Sequence, residues 1–184
     1  MLSELAAVSF PLACPEDLPA AAIQQHITTH LSAAVLGAEM ESDNNEFWVV
    51  PQQNAPEDER ATRFARVDAN PAASLSEQLL GYAMLVSETR WPALPGGPWL
   101  EVRRIYVHPD WIGTGVAQAL MDRAVQRASA TGHVGLWLGT SKLNQRALAF
   151  YRRNSFLVAG ERTFHVGGIA NEDWVLARSL TPTL

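Results

Sequence analysis

The chain has 184 residues, of which 47% are apolar and 18% are charged, and its formal net charge is −5. This composition is typical of a globular protein and excludes a disordered chain, a collagen and a coiled coil. The length favours a single domain over residues 1–184. No apolar run approaches the roughly 18 to 20 residues of a membrane-spanning helix, so we expect no membrane partner.

The start of the chain and its cysteine content favour a cytoplasmic protein. No Lys or Arg precedes the first apolar stretch, so the basic beginning of a secretory signal is missing. Cys14 is the single cysteine and has no internal partner for a disulfide, which fits a reducing compartment.

The two halves of the chain differ in the sign of their charge. Residues 1–100 hold 4 basic and 13 acidic side chains, whereas 101–184 hold 10 basic and 6 acidic ones. A basic C-terminal half suits an anionic ligand such as a phosphorylated cofactor, and an acidic N-terminal half suits a cationic one. Ordinary solvated surface charge is the alternative explanation. An acidic chain without a dense basic run is not typical of a nucleic-acid binder, so we expect no nucleic-acid partner.

The first part of the chain predicts helices and then a strand. Apolar residues at helical spacing over 15–41 indicate one long or two short helices. Residues 47–50 predict a strand, and the polar, proline-rich stretch 51–76 predicts a loop. A short apolar patch at 64–67 within that loop could pair with a neighbouring strand.

The middle of the chain predicts a strand pair and a crossover. The apolar runs 78–88 and 99–107 flank the turn-rich stretch 91–98 and predict antiparallel neighbours. An amphipathic helix over 116–130 and a short apolar strand at 134–138 follow. The order strand, helix, strand implies a right-handed crossover between two parallel strands.

The last part of the chain predicts a helix and a closing hairpin. Asn144 is a suitable N-cap for a helix that ends near residue 154. Two strands at 157–164 and 173–177, with a Gly167-Gly168 turn region between them, predict a final antiparallel pair.

A glycine-bearing turn stands between the strand at 99–107 and the amphipathic helix. In Ile112-Gly113-Thr114-Gly115-Val116-Ala117, small residues allow successive backbone amides to face one anion at the helix N-terminus. The alternative is a tight turn that needs glycine only for its backbone angles. A P-loop is excluded because no Gly-Lys-Ser/Thr follows, and a dinucleotide fingerprint is excluded because Gln118 stands where it requires glycine.

The order of these segments over 78–178 resembles the GCN5-related N-acetyltransferase (GNAT) superfamily. The resemblance rests on the strand Leu100–Pro109, the glycine turn, and the run Asn144-Gln145-Arg146-Ala147-Leu148-Ala149-Phe150-Tyr151. It implies a mixed α/β fold with a twisted mixed sheet of six to seven strands flanked by helices, in which splayed parallel strands hold the cofactor. It also implies one N-acetyltransferase domain, with N-terminal helices and the acceptor side in 1–97 and an acetyl-CoA-binding core in 98–184.

The resemblance implies two backbone sites for acetyl-CoA. The pyrophosphate would lie on the amides of the glycine turn, formed by Ile112, Gly113, Thr114, Gly115, Val116, Ala117 and Gln118. Gly115 and Ala117 match the family pattern, whereas Ile112 replaces its usual Arg or Gln and removes a side-chain contact. The pantetheine arm would bond the backbone of Ile105, Tyr106 and Val107, where a bulge in the strand frees polar groups.

The resemblance also implies catalytic side chains. Tyr151 would protonate the departing coenzyme A sulfur, and Asn144 would bond the pantetheine arm; plain helix core is the alternative for Tyr151. Glu101 would take the proton of the amine directly or through a water, and its alternative is an exposed strand acid. Ser155 stands where the family usually has glycine, which affects the local turn.

The remaining candidates concern metals and the acceptor. His26 and His30 are spaced i,i+4 without a third ligand, so we assign them to a helix surface and expect no metal. The expected acceptor is a primary amine, and the resemblance to bacterial polyamine acetyltransferases suggests a polyamine. A protein N-terminal or lysine acetyltransferase and a non-catalytic acyl-CoA-binding module are the alternatives. We expect specificity to lie in the N-terminal helices and in 91–98, and a homodimer stays open.

Overall fold

The computed structural model describes residues 1–52, 65–67 and 78–180. In this part of the chain the α-helices are α1 (Leu2–Ser9), α2 (Ala20–His30), α3 (Ala33–Met40), α4 (Val116–Ala130) and α5 (Gln145–Arg153). The strands are β1 (Asn45–Pro51), β2 (Ala65–Val67), β3 (Leu79–Val86), β4 (Trp99–Val107), β5 (Gly135–Ser141), β6 (Leu157–Val166) and β7 (Ile169–Ser179). Short 3₁₀ turns at Phe10–Ala13 and Pro109–Trp111 follow α1 and β4.

The seven strands form one mixed sheet in the order β2-β1-β3-β4-β5-β7-β6. Only β4 and β5 pair in parallel, and every other neighbouring pair is antiparallel. This confirms the predicted strand pair around 91–98, the crossover through α4 and the closing hairpin. The patch predicted at 64–67 pairs with β1 through β2, and the rest of the predicted loop from 53 to 76 lies outside the described residues.

The N-terminal region contains one helix more than the sequence predicted. The apolar pattern over 15–41 folds as two short helices, α2 and α3, and Ser32 caps α3 by accepting a hydrogen bond from the Val35 amide at 3.4 Å. The additional helix, α1, buries Leu2, Leu5 and Ala6. These helices form one layer on the sheet.

Each face of the sheet carries its own apolar core. On one face α4 and α5 cover residues such as Leu100, Val102 and Leu136 of β4 and β5. On the other face α1, α2 and α3 pack against Phe47, Tyr82 and their neighbours on β1 and β3. The sheet is therefore the middle of three layers.

The parallel strands β4 and β5 separate part-way along their length. They pair only over Trp99–Glu101 and Gly135–Trp137. Beyond that point β4 continues beside β3 to Val107, and β5 continues beside β7 to Ser141. The result is a wedge whose sides are two strand edges without a partner among the described residues.

A β-bulge in β4 changes the predicted orientation of its side chains. Met84 of β3 pairs with Arg104 and Leu85 pairs with Val102, so Arg103 is the extra residue. Simple alternation along the strand predicts Glu101, Arg103 and Ile105 on one face, and for Ile105 this is wrong. Because the bulge inserts a residue, Ile105 packs with Val102 towards α4, while Glu101 lies on the opposite face.

The end of α5 contains a residue in a costly backbone conformation. Ser155 follows the C-cap Asn154 and has φ of 64°. The left-handed region is strained for a residue with a Cβ and is the usual place of glycine after a helix. This agrees with the expectation that Ser155 occupies a glycine position.

Replacing Ser155 with glycine is expected to raise the free energy of unfolding by about 0.5 to 1 kcal/mol, because relief of the Cβ clash exceeds the added entropy of the unfolded chain. Urea denaturation followed by circular dichroism measures the change. Ser155→Ala keeps the Cβ and should give no such gain. A glycine variant no more stable than the parent would contradict this account of the turn.

Candidate active site

A cavity of about 1010 Å³ opens at the wedge between β4 and β5. Its walls come from the segment between α1 and α2, from β4 and β5, from the start of α4, from α5, and from the β6–β7 hairpin. Nearly all residues predicted for the site line this cavity. The exceptions are Thr114, whose hydroxyl donates to the Trp111 carbonyl at 2.7 Å, and Val116, whose side chain is buried in the core.

The start of α4 presents a row of free backbone donors to the cavity. The amides of Gly113 and of Gly115–Gln118 have no acceptor among the described residues. Gly115 is the N-cap of α4 and has φ of 95°. Glycine adopts this backbone conformation without the strain that a Cβ would cause. Aligned amides at the positive end of a 15-residue helix bind an anion well.

The backbone of β4 borders the cavity at Ile105, Tyr106 and Val107. Towards β5 their strand edge pairs with no strand among the described residues, as expected near the bulge. One group is already used, because the Ser9 hydroxyl donates to the Val107 carbonyl at 3.0 Å. This hydrogen bond attaches the end of α1 to the end of β4.

Tyr151 and Asn144 reach the cavity from α5. The Tyr151 ring packs on Phe150 and Phe156, and its hydroxyl has no hydrogen-bond partner within the described part of the chain. Burial raises the pKa of Tyr151 to about 12, so the phenol stays protonated at neutral pH. Asn144 accepts from the Ala147 amide at 3.0 Å as the helix cap, which leaves its side-chain NH₂ group free to donate.

Two amide side chains join the helices that carry these groups. Gln118 of α4 and Asn154 of α5 exchange hydrogen bonds at 2.8 and 3.1 Å. Gln118 belongs to the row of free amides, and Asn154 ends the helix of Tyr151. This pair of side chains therefore links the start of α4, with its free amides, to the helix that carries Tyr151.

Two buried carboxylates lie on the other side of the wedge, each beside an arginine. Glu101 is only 5% exposed and accepts from Arg103 at 2.6 Å, so it is not the exposed strand acid considered as the alternative. Asp173 accepts from Arg162 at 3.3 Å. Burial raises the pKa of Asp173 and outweighs the opposing effect of Arg162.

His26 was wrongly assigned to a helix surface, whereas His30 is exposed as expected. His26 is 7% exposed, stacks on Phe10 at 4.5 Å between ring centroids and meets the edge of Phe164 at 5.5 Å. Burial, with the nearby His30 and Arg104, lowers the pKa of His26 to about 4. His26 and His30 both line the cavity, and the partners that bury His26 are distant from it in sequence.

The stretch 91–98 does not line the cavity, contrary to the expectation that it sets specificity. Trp91 and Leu94 instead pack on Trp99 and Trp137 in a separate apolar cluster. The N-terminal segments do line the cavity, Cys14 among them. Burial raises the pKa of the Cys14 thiol to about 11, which makes it a poor nucleophile.

The part of the chain that the structure describes contains no group of three His, Cys, Asp or Glu side chains that could hold a metal ion. None of its helices is both long enough and apolar enough to cross a membrane.

The model of the acetyltransferase (GNAT) family matches residues 37–156. The chain belongs to the GNAT family. This confirms the predicted family and the predicted enzyme class, an N-acetyltransferase. Uncharacterised N-acetyltransferases of Mycobacterium tuberculosis and Mycobacterium bovis are 33% identical over 179 residues, which are 97% of this chain and 96% of theirs.

Solved structures confirm the GNAT fold. The PaiA N-acetyltransferase of Thermoplasma acidophilum, in complex with coenzyme A, has a TM-score of 0.65 at 17% identity, covering 97% of this chain and 90% of its own. NAA60 of Arabidopsis thaliana, in complex with acetyl-CoA, has a TM-score of 0.51 at 21% identity, covering 64% and 74%. At these identities the likeness concerns the fold alone.

The burial of His26 predicts a pH dependence of stability. Between the ordinary histidine pKa of 6.5 and about 4, the unfolded chain takes up a proton that the folded GNAT chain excludes. Stability therefore falls as pH drops through this window, and His26→Phe should make Tm less dependent on pH there. Phe10→Leu is the control, because it weakens the packing at every pH and keeps the imidazole. An unchanged slope in His26→Phe would contradict the prediction.

Proposed function

We propose that this GNAT protein transfers the acetyl group of acetyl-CoA to a primary amine by direct attack in a ternary complex. The observation that carries the proposal is the row of unpartnered amides at Gly113 and Gly115–Gln118, which faces the wedge between β4 and β5. The GNAT structures that hold coenzyme A and acetyl-CoA support the choice of cosubstrate.

The residues present fit the charge and length of this cosubstrate. The free amides and the α4 dipole would hold the pyrophosphate without a side chain at Ile112. Arg146 and Arg153, which line the same cavity from α5, add positive charge for the phosphates. The backbone of Ile105 and Tyr106 and the NH₂ group of Asn144 would bond the pantetheine amides, so that the arm replaces the strand missing from the wedge.

Acetyl transfer then requires the acceptor nitrogen to lose two protons and the sulfur to gain one. Once the ammonium has lost its first proton, the neutral amine attacks the carbonyl carbon, a C–N bond forms, and the C–S bond breaks. The second nitrogen proton returns through water to the phenol that protonates the sulfur. We assign Glu101 as the group that takes the ammonium proton, directly or through a water; Arg103 occupies its Oε2, and Oε1 has no partner within the described residues. We assign Tyr151 as the group that donates its proton to the leaving sulfur, since its raised pKa keeps the phenol protonated.

The same proposal covers the acceptor and the organisation of the chain. The segment 9–15 walls the cavity and Ser9 fixes it to β4, which favours a small amine over a protein chain. A polyamine and a protein N-terminus or lysine are the acceptors to compare. We propose one acetyltransferase domain over 1–184, with acceptor elements in 1–97 and the acetyl-CoA core in 98–184, located in the cytoplasm.

Acetyl-CoA is expected to raise Tm by roughly 5 °C or more at about 100 times its Kd, since only the folded state binds it. Ala117→Glu should abolish this shift, because a carboxylate in the first turn of α4 repels the pyrophosphate while it favours the helix itself. Thermal melts with and without ligand measure both effects. Gln126→Glu adds the same charge on an exposed part of α4 and should keep the shift. A full shift in Ala117→Glu would place the anion elsewhere.

Tyr151→Phe should lower kcat by roughly 100-fold and leave the affinity for acetyl-CoA unchanged, because it removes only the donor to the sulfur. The loss should stay constant from about pH 7 to about pH 10, since a phenol with a pKa of about 12 stays protonated throughout. Release of free thiol measures turnover and calorimetry measures affinity. An unchanged kcat would make Tyr151 a packing residue.

A further inference from the structure

The charged side chains of the cavity favour an acceptor that is not a simple polycation. Among the described residues that line it, the acids are Glu101 and Asp173, whereas the arginines are Arg103, Arg104, Arg146, Arg153 and Arg162. Both acids are already paired with arginines. A polyamine would therefore enter a site with excess positive charge. Within the described residues of the N-terminal half, whose acidic composition made a polycation attractive, no acidic side chain lines the cavity.

The arginines divide between the two sides of the wedge. Arg146 and Arg153 belong to α5, which covers the same face of the sheet as α4 and its free amides. Arg104 is occupied by a two-pronged ion pair with Glu39 of α3. Arg103 and Arg162 remain on the side of the buried carboxylates, away from the proposed phosphate site.

Arg162 is held over the wedge by a close approach to β5. A Cβ at Gly139 would clash with the guanidinium of Arg162, so glycine at this position lets Arg162 lie against β5. Nε and Nη2 are directed at Asp173, and Nη1 has no partner in the described residues. Its side chain is 27% exposed, which leaves a face open to the cavity.

Arg103 offers a second open guanidinium on the opposite edge of the wedge. It makes one hydrogen bond, to Glu101, and its side chain is 36% exposed. Its position on the bulge of β4 sets it beside the strand edge that would hold the arm of acetyl-CoA. Free guanidinium N–H groups favour planar carboxylates, which they bind through two parallel hydrogen bonds.

We infer that the acceptor is a small amine that carries a carboxylate next to its amino group, of the amino-acid type, with the carboxylate bound by Arg162 and Arg103. Glu101, which accepts from Arg103 and lines the same cavity, then faces the ammonium group. These charges suit a zwitterion, because the carboxylate of the ligand would meet the arginines and its ammonium group would meet Glu101. This inference rests on the proposed acetyl transfer.

The first test compares acceptors with acetyl-CoA as the donor. Twenty L-amino acids, their C-terminal carboxamides and spermidine are assayed by thiol release. The best amino acid should exceed its own carboxamide in kcat/KM by at least about tenfold, because the carboxamide leaves the guanidinium groups without an anion. The carboxamide has the less basic amine, so a preference for the acid cannot come from a larger supply of neutral amine.

The second test asks whether Arg162 produces the preference. Arg162→Gln should bring the ratio of acid to carboxamide close to one, whereas Arg178→Gln, which removes the same charge from β7 outside the cavity, should keep it. If the single variant folds poorly, Arg162→Gln with Asp173→Asn replaces the ion pair by neutral side chains of similar size and should also remove the preference.

Four outcomes separate this inference from the proposed function. Turnover of carboxamides or spermidine in preference to every amino acid would overturn the inference and leave the acetyltransferase proposal standing. A preference that survives in both Arg162 variants would overturn the assignment of the carboxylate site. Absence of any acetyl-CoA binding would overturn both proposals, and binding without turnover of any amino acid would overturn the inference.

Discussion

The separation of β4 from β5 is the constraint on which the rest of the molecule depends. Two parallel strands that pair over three residues and then diverge leave backbone groups without partners on both edges. In a folded protein such groups require water, a side chain or a ligand. The Arg103 bulge lies just beyond the last residue of β4 that pairs with β5, and Ser9 satisfies one carbonyl at the far end. What remains open is the wedge between the two strand edges.

Electrostatics divides this opening into two unlike halves. The α4 side offers backbone amides and a helix dipole, to which Arg146 and Arg153 of α5 add positive charge. The other side offers Arg162 of β6 and Arg103 of β4, whose charges are partly cancelled by the buried carboxylates of Asp173 and Glu101. The proposed transfer of the acetyl group belongs at the boundary, where Tyr151 and Glu101 approach the wedge from opposite faces of the sheet.

Local sequence signals predicted the C-terminal half of the fold and the glycine turn. The amphipathic stripe of α4 and the Asn144 cap each depend on residues that are close together in the sequence. The residues that carry the family resemblance lie in the same half of the chain. The helix α1 was missed because its N-cap, Met1, has no capping side chain. The burial of His26 was missed, and the bulge that the family resemblance implied could not be placed at Arg103. Both depend on pairing with distant strands or helices, which periodicity does not detect.

The exchange of hydrogen bonds between Gln118 and Asn154 has a consequence for how related chains diverge. Each side chain bonds both polar atoms of the other, so a change in one removes the donor to the other's side-chain oxygen, whereas the NH₂ groups keep Asp122 and the Phe150 carbonyl as acceptors. Homologues should therefore keep both residues or replace both together. The two residues would then change together. The distance between the bound cosubstrate and the Tyr151 phenol would be kept, while the residues that contact the acceptor vary.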